Sequence, residues 1–368
     1  MVHGKRNDMI VHQQEPYNAE PPRAALADRA LTPLDAFYSR NHGPIPHIDQ
    51  ETWRVRVEGL VEHQLQLSLA QLRETFEQQT LVATLQCAGN RRTGLLEIRD
   101  IPGEAPWGAT ATSTAEWTGI RLSDVLGAAG LEPTAGHVEF VGPDIARDAK
   151  PPQPYGSSIP VHKASSGEVL LAWAMNGEPL PAVHGGPVRV VVPGYIGARS
   201  VKWVQRVTVL EQPSDNYFQA VAYRLPPVDA DPAAGGPGQG RSLASVTLNS
   251  EILTPDDGEL LPAGRSRVTG YAIAPDGDSV ARVEVSVDEG RTWHQAGIQA
   301  PPSAWAWCHW QTALELAPGD VQIVARARSN AGDMQPESAE ALWNPKGYMN
   351  NSWARVQVTV RDAEESSS

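Results

Sequence analysis

Past residue 242 the sequence is written almost entirely in short alternating runs, and that pattern restricts the fold more than any other feature. SVTLNSEIL, SRVTGYAIA, ARVEVSVDEG, DVQIVARARSN and WARVQVTV are each strand-length, and turn signals such as Asp-Gly and Asn-Ala-Gly separate them. Alternation with period two turns one side of each run to a core and the other to solvent. About seven such strands over roughly 115 residues is the profile of an immunoglobulin-like sandwich. No catalytic grouping of residue types falls within it, so residues 243–362 read as a docking or dimerisation module.

Upstream of it, VDADPAAGGPGQGR carries no periodicity and is taken as an interdomain linker over 228–242. Residues 33–227 then form a first domain, and a chain of 368 residues is long enough for two cores. Trp53, Val55 and Val57 alternate with Arg54, Arg56 and Glu58, which predicts a half-buried strand. Ser68 is placed to cap the helical stretch LAQLRETF, and Ser123 to cap DVLGAAG, which Gly130 closes. LVATLQCAG reads as a strand entering a small-residue turn. Asn176–Gly177 reads as a hairpin turn, Val188 to Val192 as a strand buried on both faces, and SVKWVQRVTVLEQ as a further strand. The polar, Pro-punctuated residues 1–32 are expected to be an extended arm, and residues 363–368 a disordered tail.

The net charge of −13 sets the surface against nucleic acid and anionic membranes, so an anionic ligand needs a local island of cations. Two cysteines, Cys87 and Cys308, are too few and too far apart for a stapled secreted domain. There is no apolar leader segment, twin-arginine pair or membrane-length apolar run. The chain is therefore expected in the cytoplasm, or in the periplasm if a leader was removed.

Three segments carry chemistry. In TLQCAGNRR, small residues leave the approach to Cys87 clear, and the cations Arg91 and Arg92 favour the thiolate that binds metals. Read alone, the segment also fits an inert buried cysteine beside surface arginines. One cysteine cannot build a zinc or iron–sulfur site, but it suffices for a metal that an organic ligand already holds. FYSRNHGPIP, from Phe37 to Pro46, packs an arginine, an amide and an imidazole together, and also fits an ordinary loop. HGGPVRVVVPGYIGARSVKW sets His184, Arg189, Arg199, Ser200 and Lys202 around an apolar strand, which suits a buried phosphate or pterin substituent. Salt bridges at strand ends are the alternative.

Together these segments closely resemble the sulfite oxidase family. The likeness runs from Phe37 to Val360 through FYSRNH, TLQCAGNRR, YGSSIP, MNGEPLP, HGGPVRVVVPG, GARSVKW, AWAW and WNPKGYMNNSW. It implies an α+β fold: a mixed α+β molybdopterin domain followed by an immunoglobulin-like dimerisation domain, hence a homodimer. It implies one molybdenum per chain on a single molybdopterin, with Cys87 as the protein's metal ligand. Phe37, Asn41, His42, Ser158, His184, Arg189, Ser200 and Lys202 would hold the pterin and its phosphate. Arg40 and Arg92 would bind the oxyanion, Tyr223 would reach toward the reacting oxygen, and Trp107 would wall the pocket.

The activity implied is oxidation of sulfite to sulfate by two-electron oxygen-atom transfer. Lys346 stands where animal and plant members carry an arginine; it keeps the charge but loses the planar fork. The chain has no haem or flavin segment, so electrons would leave to a separate acceptor such as a c-type cytochrome. Reduction of nitrate or of a sulfoxide, and dehydrogenation of a carrier-bound sulfane, are the alternatives with the same cofactor. A cofactor-free dimeric binding module is the non-enzymatic reading.

Overall fold

A computed structural model describes residues 2–225 and 238–362. Most of the linker and the whole of the 363–368 tail lie outside the described residues.

The N-terminal segment is not a free arm. Strands β1 (Ile10–Gln13) and β2 (Asn18–Glu20) form a hairpin, and Ala19 exchanges backbone hydrogen bonds with Ser39. Lys5, Tyr17, Asn18, Glu20 and Leu26 are all buried against the first domain. Their polar groups find partners there, which a polarity reading of residues 1–32 could not register: Glu20 accepts from Gly108 N at 2.6 Å and from Thr110 N at 3.0 Å.

In β3 (Arg54–Gly59), Val55 and Val57 are buried while Arg54 and Arg56 are exposed, as the alternation requires. After β4 (Leu65–Ser68), helix α1 (Leu69–Thr75) starts with a reciprocal cap: Ser68 Oγ accepts from Gln71 N and Gln71 Oε1 accepts from Ser68 N. Strand β5 (Gln78–Gln86) delivers Cys87, helix α2 (Arg92–Leu96) follows the turn, and β6 (Thr112–Arg121) pairs back along β5. Helix α3 (Leu122–Ala129) ends at Gly130, whose φ of 70° suits the residue that lacks a Cβ. Ser123 is not its cap: Arg121 holds that position without a side-chain bond, and Ser123 lies inside the helix.

Strands β7 (His137–Ala146) and β8 (Gln153–Pro160) follow, then β9 (Leu170–Met175), the Asn176–Gly177 turn and β10 (Glu178–Pro179). Asn176 and Gly177 both have positive φ, as a two-residue hairpin demands. In β11 (Arg189–Val191) every residue is buried. Of SVKWVQRVTVLEQ only β12 (Arg206–Leu210) is strand; the residues before it turn toward the cavity instead. Two five-stranded sheets result, β10-β9-β6-β5 with β11 on β9, and β4-β3-β12-β7-β8.

Strands β13 (Arg224–Leu225) and β14 (Arg241–Ser242) pair across the linker. The second domain stacks β15 (Asn249–Thr254), β17 (Gly264–Ile273), β20 (Gly297–Ile298) and β21 (Cys308–Leu316) against β16 (Leu260–Pro262), β18 (Val280–Ser286), β19 (His294–Gln295), β22 (Gly319–Ser329) and β23 (Ala354–Arg361). Nine strands appear where about seven were expected, two of them only two residues long. Ile252, Val268, Trp310, Ile323 and Val356 fill the space between the sheets. The helices are few and short, so the chain is a mostly-strand, two-domain protein rather than an evenly mixed α+β one.

The domains share buried contacts. Arg91 Nε pairs with Glu251 at 2.8 Å, and its Nη1 donates to Ser352 O at 2.6 Å. Asn90 Nδ2 donates to the Tyr271 hydroxyl, which donates to Ala109 O. The turn after Cys87 is thereby fastened to the second domain.

Candidate active site

Cys87 N donates to Ala111 O at 2.9 Å, which carries the β5–β6 pairing one residue past the strand. The chain then turns sharply, with Asn90 N on Cys87 O and Arg92 N on Gly89 O, both at 3.0 Å. A Cβ on Gly89 would stand 2.6 Å from Arg92 Nη2, so only glycine lets that guanidinium lie over the turn. Arg91 takes a left-handed conformation (φ 64°) and sends its side chain to the other domain. The two arginines therefore separate: Arg92 faces the sulfur's side, and Arg91 is an interdomain tie rather than a thiolate partner.

Cys87 lines a pocket that it shares with Phe37, Arg40, Lys202 and Tyr223. Burial pushes its thiol pKa up, opposed by the charges of Arg92 and Arg40 and by the Gly89 N–H. Burial wins, contrary to the expectation that neighbouring cations alone would hold a thiolate. A metal taking the proton's place supplies the missing charge. Among the described residues no group of three or more His, Cys, Asp or Glu side chains gathers into a metal site, so Cys87 would be a single protein donor to a metal held by another ligand.

Phe37, Asn41, His42, His184, Arg189, Ser200 and Lys202 all line the same cavity, brought from three distant segments. The N-terminal hairpin sets Asn41, whose N–H donates to Asn18 Oδ1 and whose amide donates to Tyr17 O, both at 2.6 Å. Asn41 Oδ1 accepts from Lys202 Nζ, which also donates to Val183 O at 3.0 Å. Arg189 donates to His184 O and to Ser200 O, each at 2.9 Å. Burial lowers the pKa of Lys202 well below its usual value and that of Arg189 to about 10. His184 is likewise held neutral by burial, then by Lys5 and Lys202.

These cations rest on neutral partners, and the one carboxylate among them, Asp144, is itself pushed up to about 7 by burial and has an Oδ1 with no partner. Buried cations without anions, beside an unsatisfied hydrogen-bonding carboxyl, fit a cofactor that brings phosphate charge and ring donors of its own.

Of the substrate residues, Arg40 and Tyr223 line the cavity. His42 lies between them: its Nε2 stands 2.7 Å from the Tyr223 hydroxyl, and its Nδ1 is 2.8 Å from Asp148 Oδ2, beside the Arg40 guanidinium. Arg92 packs behind, donating to Ala105 O at 2.7 Å and to Lys346 O at 3.0 Å. Three of the residues expected at the site lie outside the cavity lining. Ser158 is absent from the cavity; its hydroxyl accepts from Ser214 N at 3.0 Å, because it lies in the paired strand β8. Trp107 is buried within the apolar cluster that holds Cys87 and Phe37, and supports the site instead of walling the cavity. Lys346 is half exposed and pairs with Glu104 at 2.8 Å instead of completing an anion pocket.

Sequence reasoning missed Asp144, Tyr155, Lys5 and Tyr348. Asp144 follows a shift in register along β7, a departure that VGPDIARDAK signals only by its Gly-Pro pair. Tyr155 stacks on His42 with ring centroids 5.1 Å apart, and Tyr348 on Tyr223 at 5.3 Å. Lys5 Nζ donates to Leu34 O and Phe37 O and meets His184 Nε2, which nothing in its polar neighbourhood announces.

Comparison with known proteins adds a family. Residues 42–218 match an oxidoreductase molybdopterin binding domain, and residues 241–361 a Mo-co oxidoreductase dimerisation domain. The chain is 42% identical to sulfite oxidase of Gallus gallus over 94% of its own length and 76% of that protein. It is 40% identical to mitochondrial sulfite oxidase of Homo sapiens over 95% of its length, and spans 65% of that longer protein. Among solved structures, the sulfane dehydrogenase SoxCD from Paracoccus pantotrophus superposes with a TM-score of 0.81 at 26% identity, covering 97% of this chain and 88% of that one.

Proposed function

This chain belongs to the sulfite oxidase family of molybdopterin-dependent oxidoreductases, and on that premise we propose that it oxidises sulfite to sulfate. Sulfite and water yield sulfate, two protons and two electrons, and the electrons pass singly to a separate acceptor, for which a small c-type cytochrome is suited. One observation carries the reading: the Cys87 sulfur faces a cavity whose buried cations lack anionic partners.

Bound through Cys87, the molybdenum cofactor supplies the two-electron oxygen-atom transfer. Lys202, Arg189 and Ser200 would hold its phosphate, while His184, Asn41, Phe37 and Asp144 would orient its ring system. Arg40 and Arg92 attract the oxyanion against the acidic surface. Tyr223 borders the oxyanion site, with its hydroxyl donated to His42 Nε2. Its phenol stays protonated because burial raises its pKa, despite the opposing charge of Arg40. The second domain, with its two packed sheets, serves as an immunoglobulin-like dimerisation module.

The purified protein should contain molybdenum near one atom per chain and reduce ferricyanide when given sulfite. Cys87→Ser should abolish turnover with an unchanged circular-dichroism spectrum. Oxidation of reduced viologen by nitrate, with no response to sulfite, overturns the assignment in favour of nitrate reduction.

A further inference from the structure

Glu104 lies in the turn-rich segment between helix α2 and strand β6, one residue from the carbonyl that receives Arg92 Nη1. Its Oε1 is 2.8 Å from Lys346 Nζ, and its Oε2 is 3.5 Å from Arg92 Nη2. One carboxylate thus spans two of the cations expected to greet an oxyanion. The backbone holds the trio together, since Arg92 Nε donates to the carbonyl of Lys346 at 3.0 Å. Two stacked rings connect the bridge to the cavity wall. Arg92 lies over the Tyr348 ring at 5.7 Å, and Tyr348 stacks on Tyr223 at 5.3 Å. Glu104's charge is felt at Tyr223 and at His42, beyond burial and closer neighbours.

A carboxylate presents two oxygens at a spacing close to that of a sulfur oxyanion, so it can occupy the same donors. We propose that Glu104 is a resident competitor for the oxyanion: it holds Lys346 outward and offsets the charge of Arg92, and an entering anion must displace it. The consequence is weaker retention of the product. Arg40 and Arg92 supply attraction, while Glu104 loosens the site's hold on sulfate. Lys346 is the cation that the displacement frees; its side chain is half exposed and has room to turn. This inference rests on the sulfite-oxidising reading for its substrate, but its test does not depend on turnover.

Calorimetric titration of the holoenzyme with sodium sulfate at fixed ionic strength tests it, using wild type, Glu104→Gln, Lys346→Met and the double variant. Glu104 is partly exposed and lies between exposed Gly103 and Pro106, so the amide replaces it without disturbing a core. Glu104→Gln should bind sulfate about tenfold more tightly, as expected when a competing, partly screened ion pair is removed. In the Lys346→Met background the same change should gain less than about threefold, because its principal counter-ion is gone. Steady-state kinetics should show a lower KM for sulfite and stronger product inhibition, with kcat less affected. Unchanged sulfate affinity in Glu104→Gln, or an equal gain in both backgrounds, overturns the proposal. If wild type ignores sulfite as substrate while Glu104→Gln still gains sulfate affinity, the competitor role stands and the functional assignment falls.

Discussion

The Tyr223 hydroxyl donates to His42 Nε2 across 2.7 Å, and the opposite nitrogen of that ring lies 2.8 Å from Asp148 Oδ2. A phenol on the cavity wall is thereby joined through one imidazole to a carboxylate that is half exposed. The arrangement requires a neutral ring that accepts at Nε2 and donates from Nδ1. Burial, followed by the charge of Arg40, lowers the His42 pKa to about 4 against the pull of Asp148.

That low value gives a pH dependence of stability. Between about pH 6.5 and pH 4 the unfolded chain binds a proton at His42 that the folded chain refuses. Stability at this residue is therefore fully present above pH 6.5 and falls as the pH drops toward 4, below which both states are protonated. A depression of this size corresponds to a loss on the order of 3 kcal/mol across the window. Urea midpoints measured from pH 7 to pH 4 should show the decline, and His42→Gln should flatten it. An equal slope in the variant would assign the loss to other groups.

Gly347 sets the position of Arg92. A Cβ there would stand 2.6 Å from Arg92 Cγ, and the φ of 58° is one that side-chain-bearing residues rarely adopt. Gly347→Ala should therefore displace the guanidinium and lower kcat/KM for sulfite on the order of a hundredfold, as a shift of about 1 Å in a positioning group does. Cofactor content should stay at the wild-type level, because Arg92 does not line the cofactor cavity. Arg92→Met should reproduce the kinetic defect. Full activity in Gly347→Ala would mean that the loop relaxes without moving the arginine.

Arg91, one residue earlier, should behave differently. Its guanidinium joins the Cys87 turn to Glu251, Asn249 and Ser352 of the second domain, and all of these are buried. Arg91→Met should cost about 3 kcal/mol of stability, the low end for breaking a buried pair, since Arg23 still reaches Glu251 at 3.0 Å. Urea unfolding should show the loss, and the KM for sulfite of the folded fraction should be unchanged. A raised KM with wild-type stability would place Arg91 in the anion site instead.

Local order is legible in the sequence. The half-buried β3, the cap at Ser68, the Asn176–Gly177 hairpin, the buried run at Val188 to Val192 and the change of pattern after residue 242 all depend on neighbours within a few residues. Side-chain size, branching and capping decide such features. Motif order supplied the family, and with it ten of the cavity residues, but neither Asp144 nor Tyr155.

Long-range pairing decided the remainder. Arg91 and Arg92 are adjacent and chemically alike, yet a single left-handed residue in a tight turn sends one to the neighbouring domain and the other behind the cavity. Lys346 kept its charge but not its expected place, because Glu104, 242 residues away, captures it. Lys5 and Asp144 joined the site through a folded-back N-terminus and a shift in strand register. Covalent sequence encodes what each side chain can donate, accept or bury; only the packed chain selects which distant partner satisfies it.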